Sequence, residues 1–367
     1  MAELDYKDYI ANVSVTNVGV ISTFFDFNAV ILLVPLASNS MAGLDAEAFG
    51  SEDSTYVEIF DTGKLNTANN NTAGSFSAAT ISAVTAFFAQ RPKPKSITII
   101  AVDLVGGDTY ASILQTYLDA GRDFFYVTSI NRTDSISVAI CNALAALDRK
   151  RLHIFQNAGS TIIAASGTYA AGTFGTAFTS KEYGLGLYKA DTEYDDMKYT
   201  GQLASVNPLT DPCPPGDLIF QLASASSATS GQQTNAETNF WNINAKAGND
   251  NITEPGVTLD GYPIYQTLAA EGFSEAVRQM FLTEKIQLSK KKRKWPMTNA
   301  QNTINAAKVA TIFYDFCNRD YFDKTQDHFI TGETVTDTDK ALEMFRITAE
   351  MQYLKSARKL AFRGYAA

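Results

Sequence analysis

Two histidines are all the imidazole this chain offers for proton transfer or metal ligation, and His153 and His328 stand far apart in it. His153 falls within Leu152-His153-Ile154-Phe155, a predicted strand, where a structural role is expected ahead of a catalytic one. His328, in Asp327-His328-Phe329, lies in a polar stretch. Metal or nucleophile chemistry built on histidine needs more ligands than these two supply. Cys141, Cys213 and Cys317 form no CxxC pair, so neither a zinc site nor a secreted disulfide framework is indicated. Asp191, Glu193, Asp195 and Asp196 crowd one predicted loop. Such a cluster can hold a cation through oxygen ligands, and a hydrated loop is the blander reading. No phosphate loop, HExxH, GxSxG elbow or EF-hand loop occurs, and Gly106-Gly107 and Gly184-x-Gly186 are too short for a dinucleotide fingerprint. The expectation is a non-enzyme with no metal and no cofactor, and an α/β enzyme working through carboxylates is the distant alternative.

The sharpest charge feature is Lys290, Lys291, Lys292, Arg293 and Lys294 in succession, followed by Trp295-Pro296. Adjacent cations repel, so the run must be hydrated or must face a negative partner. A net charge of −9 disfavours nucleic acid and points to an acidic protein surface. Residues 280–367 hold 15 Lys and Arg against 10 Asp and Glu, about +5, which leaves about −14 for residues 1–279. Ends of opposite sign suit head-to-tail stacking on copies of the same chain.

The elements that must carry these residues follow from periodicity. Ile10, Val13, Val15, Val18 and Val20 alternate as a strand whose phase slips at Asn17, and a strand so near a terminus needs a partner elsewhere in the chain or on another molecule. The polar stretch 63–75 reads as a loop. Ile81, Val84, Phe87 and Phe88 form the stripe of a helix that Pro92 stops. Strands at Ile97–Val102, Phe124–Ile130 and Leu152–Gln156 alternate with helices at Tyr110–Ala120 and Asp134–Leu147, the pattern of a mainly parallel sheet covered by helices. The chain between about 157 and 235 is rich in small residues and reads as a passage between domains, with a mobile loop at Ser224–Gln233. Helical spacing follows at Phe240, Ile243 and Ala247, then helices at Ser274–Leu288 and Asn299–Asn318, the last with Ile304, Ala307, Ile312 and Phe316 near one face. Near the end, Phe345, Ile347, Ala349, Met351 and Tyr353, then Leu360 and Phe362, alternate with polar residues and favour two strands over a helix. The acidic start carries no signal-peptide core, and Ala29–Ala37 is too short to cross a bilayer, so a soluble protein of a reducing cytoplasm is expected.

Three places resemble the contractile tail sheath proteins of bacteriophages. They are Phe87-Phe88-Ala89-Gln90 with Arg91-Pro92-Lys93-Pro94-Lys95 and the isoleucine strand to Ile100; the helix Glu271–Leu288 leading through Trp295-Pro296-Met297-Thr298 into Asn299–Asn318; and the alternating terminal segments. The resemblance implies an α/β, mixed α+β fold: an outer α/β domain inserted into an inner α+β domain, with extended N- and C-terminal strand arms. Its borders would be residues 1–22 for the N-terminal arm, 23–210 for the outer domain, 211–343 for the inner, tube-proximal domain and 344–367 for the C-terminal arm. It further implies a subunit that polymerises helically, in stacked hexameric rings, around a tail tube protein, with baseplate and tail terminator proteins as further partners. Neither nucleic acid binding nor membrane insertion is implied. The place of action would be the virion, after assembly in the bacterial host cytoplasm. Val13, Val15, Val18, Val20, Ile347, Ala349, Met351, Tyr353, Leu360 and Phe362 would form the inter-subunit arms by β-augmentation. Lys290–Lys294 would meet the tube or a neighbour. Another virion component, a tube or baseplate protein, is the alternative.

Overall fold

The computed structural model describes residues 25–39, 47–48, 55–60, 76–176, 178–189, 193–214, 225–247, 250–325, 328–337 and 347–351. The chain divides into two compact units. The first holds 25–207 and continues from 217 to Pro263; the second holds Pro208–Gly216 and Ile264 onward.

Among the described residues the first unit is built on a seven-stranded sheet of order β2-β3-β4-β1-β5-β6-β7. Its central strand, β1 (Val30–Pro35), reads Val-Ile-Leu-Leu-Val-Pro and is buried on both faces, as a parallel strand covered by helices must be. β2 (Glu47–Ala48) and β3 (Thr55–Ile59) join antiparallel at one side. Helix α1 (Ala78–Phe88) starts where Ser77 Oγ accepts the Thr80 amide at 3.2 Å, and it buries Val84, Phe87 and Phe88. β4 (Ile97–Val102), α2 (Tyr110–Asp119), β5 (Tyr126–Ser129), α3 (Asp134–Ala145) and β6 (Leu152–Asn157) then follow the expected alternation. β1 pairs parallel with β4 and β5, and β5 with β6. One sheet face packs Ile31, Leu33, Ile100 and Val127 against Ile113, Leu114, Ile140 and Leu144 of α2 and α3.

Past β6 the chain differs from expectation. Two short helices, α4 (Ser166–Ala170) and α5 (Thr173–Thr176), lead to β7 (Gly184–Tyr188), which extends the parallel sheet. Gly186 is needed there, because a Cβ would lie 2.6 Å from the Trp241 ring. Helix α6 (Asp195–Leu203) follows, and α7 (Ser230–Thr238), capped by Thr229, takes up the last four residues of the stretch expected as a mobile loop. The spacing of Phe240, Ile243 and Ala247 is not a helix. β8 (Ile243–Ala247) and β9 (Asp250–Glu254) form an antiparallel pair, and Phe240 turns the chain out of α7 at φ 59°. The Asn242 side chain decides the outcome: its amide donates to the carbonyls of Gly186 and Val257 and its oxygen accepts the Val257 amide. Residues 225–263 therefore pack with the first unit, and the border drawn at 210/211 does not match the division of the chain.

The second unit is organised by α8 (Ile264–Lys290) and α9 (Asn299–Asn318). α8 begins ten residues before Ser274, because Ile264, Tyr265, Leu268, Ala269 and Phe273 are all buried. Gly272 sits inside it where a Cβ would meet the Pro208 ring at 2.8 Å. Phe273 packs edge-on against Phe316 and Phe322. The buried face of α9 is Asn302, Asn305, Ala306, Val309, Phe313 and Phe316, so the expected face is rotated: Ile304 is 51% exposed. β10 (Phe329–Gly332) pairs antiparallel with β11 (Ile347–Glu350), in the register Ile330 to Ala349 and Gly332 to Ile347. Asn302 Nδ2 donates to the Glu333 carbonyl at 2.7 Å, which fixes the end of β10 on α9.

Candidate functional site

Of the acidic cluster, Asp191 lies outside the described residues, and Asp195 and Asp196 stand in a buried helix and not in a hydrated loop. Asp195 and Asp196 open α6, every residue of which is buried. The Arg132 guanidinium grips Asp196 through two bonds, Nε to Oδ2 at 2.8 Å and Nη2 to Oδ1 at 2.9 Å. Asp195 accepts from Lys198 Nζ at 2.7 Å and from Asn244 Nδ2 at 2.5 Å, with Lys189 Nζ 4.0 Å away. Burial raises the Asp195 carboxyl above the usual carboxylate range, against the opposing pull of Lys198 and Lys189. Among the described residues no group of His, Cys, Asp and Glu is arranged to hold a metal ion. The cluster locks α6 to the sheet: Gln156 Oε1 accepts the Asp196 amide, and Thr128 Oγ1 points at the Met197 sulfur 3.1 Å away. Sequence reasoning missed Arg132, Lys189, Lys198 and Asn244 as its partners. The nearest signal was Lys198 three positions after Asp195, the helical spacing of an ion pair.

His153 is fully buried in β6, its Nδ1 3.0 Å from the Val127 carbonyl and its ring stacked on Phe155. Burial pushes its pKa down to about 4, the Val127 contact acting in the opposite direction. The His328 ring lies tilted against Phe313 at 4.7 Å between centroids, with Nε2 3.2 Å from the Tyr314 hydroxyl. Cys141 is buried among apolar side chains, which pushes its thiol far up, and the Cys317 thiol is raised to about 11.

The cationic run is a helix terminus. Lys290 ends α8, the Lys292 amide donates to the Ser289 carbonyl and the Arg293 amide to Leu288, with Lys292 in the left-handed region at φ 52°. This pair of bonds closes a helix C-terminus, and cations there are favoured by the helix dipole. Lys290 through Lys294 are all exposed, and no ion pair is recorded for them among the described residues. Trp295 folds back so that its ring stands 5.6 Å from that of Phe281.

Of the expected arm residues, Ile347, Ala349 and Met351 are buried at β11 and just beyond it. Val13, Val15, Val18, Val20, Tyr353, Leu360 and Phe362 lie outside the described residues. Within their two-stranded sheet β10 and β11 each have one strand partner, which leaves one edge of each without a ladder among the described residues. No helix among the described residues is long and apolar enough to cross a membrane.

No protein-family model matches the chain, and no curated protein matches it in sequence. Solved structures do match in fold. A chain of the anti-feeding prophage baseplate corresponds over 96% of this chain and 100% of its own length, with a TM-score of 0.62 at 10% identity. A chain of the anti-feeding prophage helical sheath in its contracted state gives 0.61 at 11% identity over 96% and 100%. A sheath tail protein from Listeria innocua gives 0.56 at 8% identity over 93% and 95%. The chain carries the fold of these three structures nearly end to end.

Proposed function

We propose that this chain is the structural subunit of a contractile tail sheath, polymerising helically around a tail tube and contracting by rearrangement of linked subunits. The carrying observation is the correspondence in fold over 96% of this chain with a subunit of a sheath in its contracted state. A placement in the baseplate is the second reading, favoured by the likeness to a chain of a baseplate structure.

In the first reading the sheet-based unit is the outer domain, inserted into an inner domain made by the helical unit. Residues 1–22 and the segment beyond β11 are arms that add strands to neighbouring copies, where the open edges of β10 and β11 would receive them. An interface that is not self-complementary generates an open helix when its rotation does not close, and stacked hexameric rings are one such solution. Contraction then needs no cofactor, because an extended lattice relaxes into one with more contacts while the arms act as hinges. Lys290–Lys294 would face the tube or a neighbour, and tube, baseplate and terminator proteins complete the set of partners in the virion, after assembly in the host cytoplasm.

Negative-stain electron microscopy of the purified chain tests the reading. Long hollow helical tubes are expected; a protein that stays in compact closed oligomers or as a monomer at every concentration overturns it.

A further inference from the structure

The loop between β4 and α2 reads Asp103-Leu104-Val105-Gly106-Gly107-Asp108, and it displays two aliphatic side chains to solvent: Val105 is 95% exposed and Leu104 43%. Such display is unusual in a loop that is itself held in shape. Asp103 Oδ1 accepts the Gly106 amide at 2.9 Å and the Asp103 carbonyl accepts the Asp108 amide at 3.1 Å. Gly107 takes φ 107°, and a Cβ on Gly106 would lie 2.2 Å from the Asp103 carboxylate, so the tip is closed over its own acid. The result is a rigid apolar knob with the half-buried Asp103 carboxylate at its base, while Asp108 is itself buried.

The far end of α8 has the opposite character. The buried stripe of Val277, Phe281 and Leu282 runs on to Ile286, which is 39% exposed, and to half-buried Leu288, with Trp295 folded back on Phe281. Around these stand Lys285 and the five cations Lys290–Lys294, all exposed. Glu284, the one acid of this end, is paired with Lys308. Apolar surface ringed by positive charge fits an apolar tip with the Asp103 carboxylate at its base, since the rim charges orient the encounter while the apolar centre holds it.

We propose that the Leu104–Val105 knob of one copy docks on the Ile286, Leu288 and Trp295 surface of a second copy, with Asp103 facing the cationic run. This rests on the sheath reading and names a contact that reading leaves open. The two surfaces differ, so the contact is heterologous and passes from copy to copy, building an open helix where its rotation does not close and a ring where it does.

Full-length Val105→Cys and Ile286→Cys chains, purified separately and mixed, test the geometry through a short bis-maleimide. A crosslinked pair is expected from the mixture under assembling conditions, with neither chain alone giving it. Leu104→Ser with Val105→Asp should keep the wild-type melting profile while weakening self-association about tenfold or more in sedimentation velocity. Helical tubes that form normally from that variant, or that yield no crosslink, overturn the docking and leave the sheath reading standing. Closed oligomers that do crosslink support the docking and overturn the sheath reading. A chain that never associates overturns both.

Discussion

Arg132 and Asp196 meet in a site from which water is nearly excluded, with side-chain exposures of 5% and 0%. A buried pair of this kind contributes little relative to a well-packed apolar pair, but losing one partner strands the other charge. Arg132→Met is therefore expected to destabilise the first unit by about 3–5 kcal/mol, and the Arg132→Met, Asp196→Leu double variant by clearly less, read from urea midpoints. His153 adds a pH dependence of definite sign. Its Nδ1 donates to Val127, while its Nε2 has no hydrogen-bond partner, so protonation would place a charge where nothing accepts it. With a folded pKa of about 4 against an ordinary 6.5, the unfolded chain binds more protons between those values, and stability falls as pH drops from about 6.5 towards 4. Denaturation midpoints at pH 7 and pH 5 should show this loss in the wild type and a smaller one in His153→Phe. An equal loss in both chains would remove imidazole protonation as its cause.

At the scale of elements, two backbone positions are decided by their neighbours. Gly186 lets β7 pass beneath Trp241, and Gly186→Ala is expected to cost about 1–3 kcal/mol because the indole has nowhere to move in a packed core. Lys292 occupies the left-handed position at the end of α8 that glycine adopts without strain. Lys292→Gly should raise the melting temperature of the second unit slightly, and it separates the capping role of the run from its charge. The elements from Ile97 to Asn157 were legible in sequence because helix and strand periods alternate there with clear stops. α6 was not, since Asp-Asp-Met-Lys-Tyr-Thr-Gly-Gln reads as hydrated surface until Arg132, Lys189 and Asn244 arrive from distant segments to satisfy it. β8 was misread because three apolar residues at helical spacing are too few to outvote one clamping asparagine. The face of α9 came out rotated because Asn302 and Asn305, polar in sequence, are buried while Ile304 is exposed. The cationic run was visible at once; its service as a helix end depends on backbone bonds that no pattern of residue types reveals.

For the whole molecule, the two units invite separate treatment of folding and assembly. Deleting residues 1–22, or residues 352–367 with β11 left intact, is expected to give a folded, soluble monomer by sedimentation that no longer forms tubes. Tubes of normal length from either truncation would remove the arms from the mechanism. The two tryptophans fall one to each unit, Trp241 sealed in the first and Trp295 half-open on Phe281 in the second. Intrinsic fluorescence therefore offers a built-in two-colour gauge: blue emission from the sealed indole and a redder, quenchable band from the other, so that replacing either with phenylalanine lets an optical titration follow one half of the polypeptide at a time.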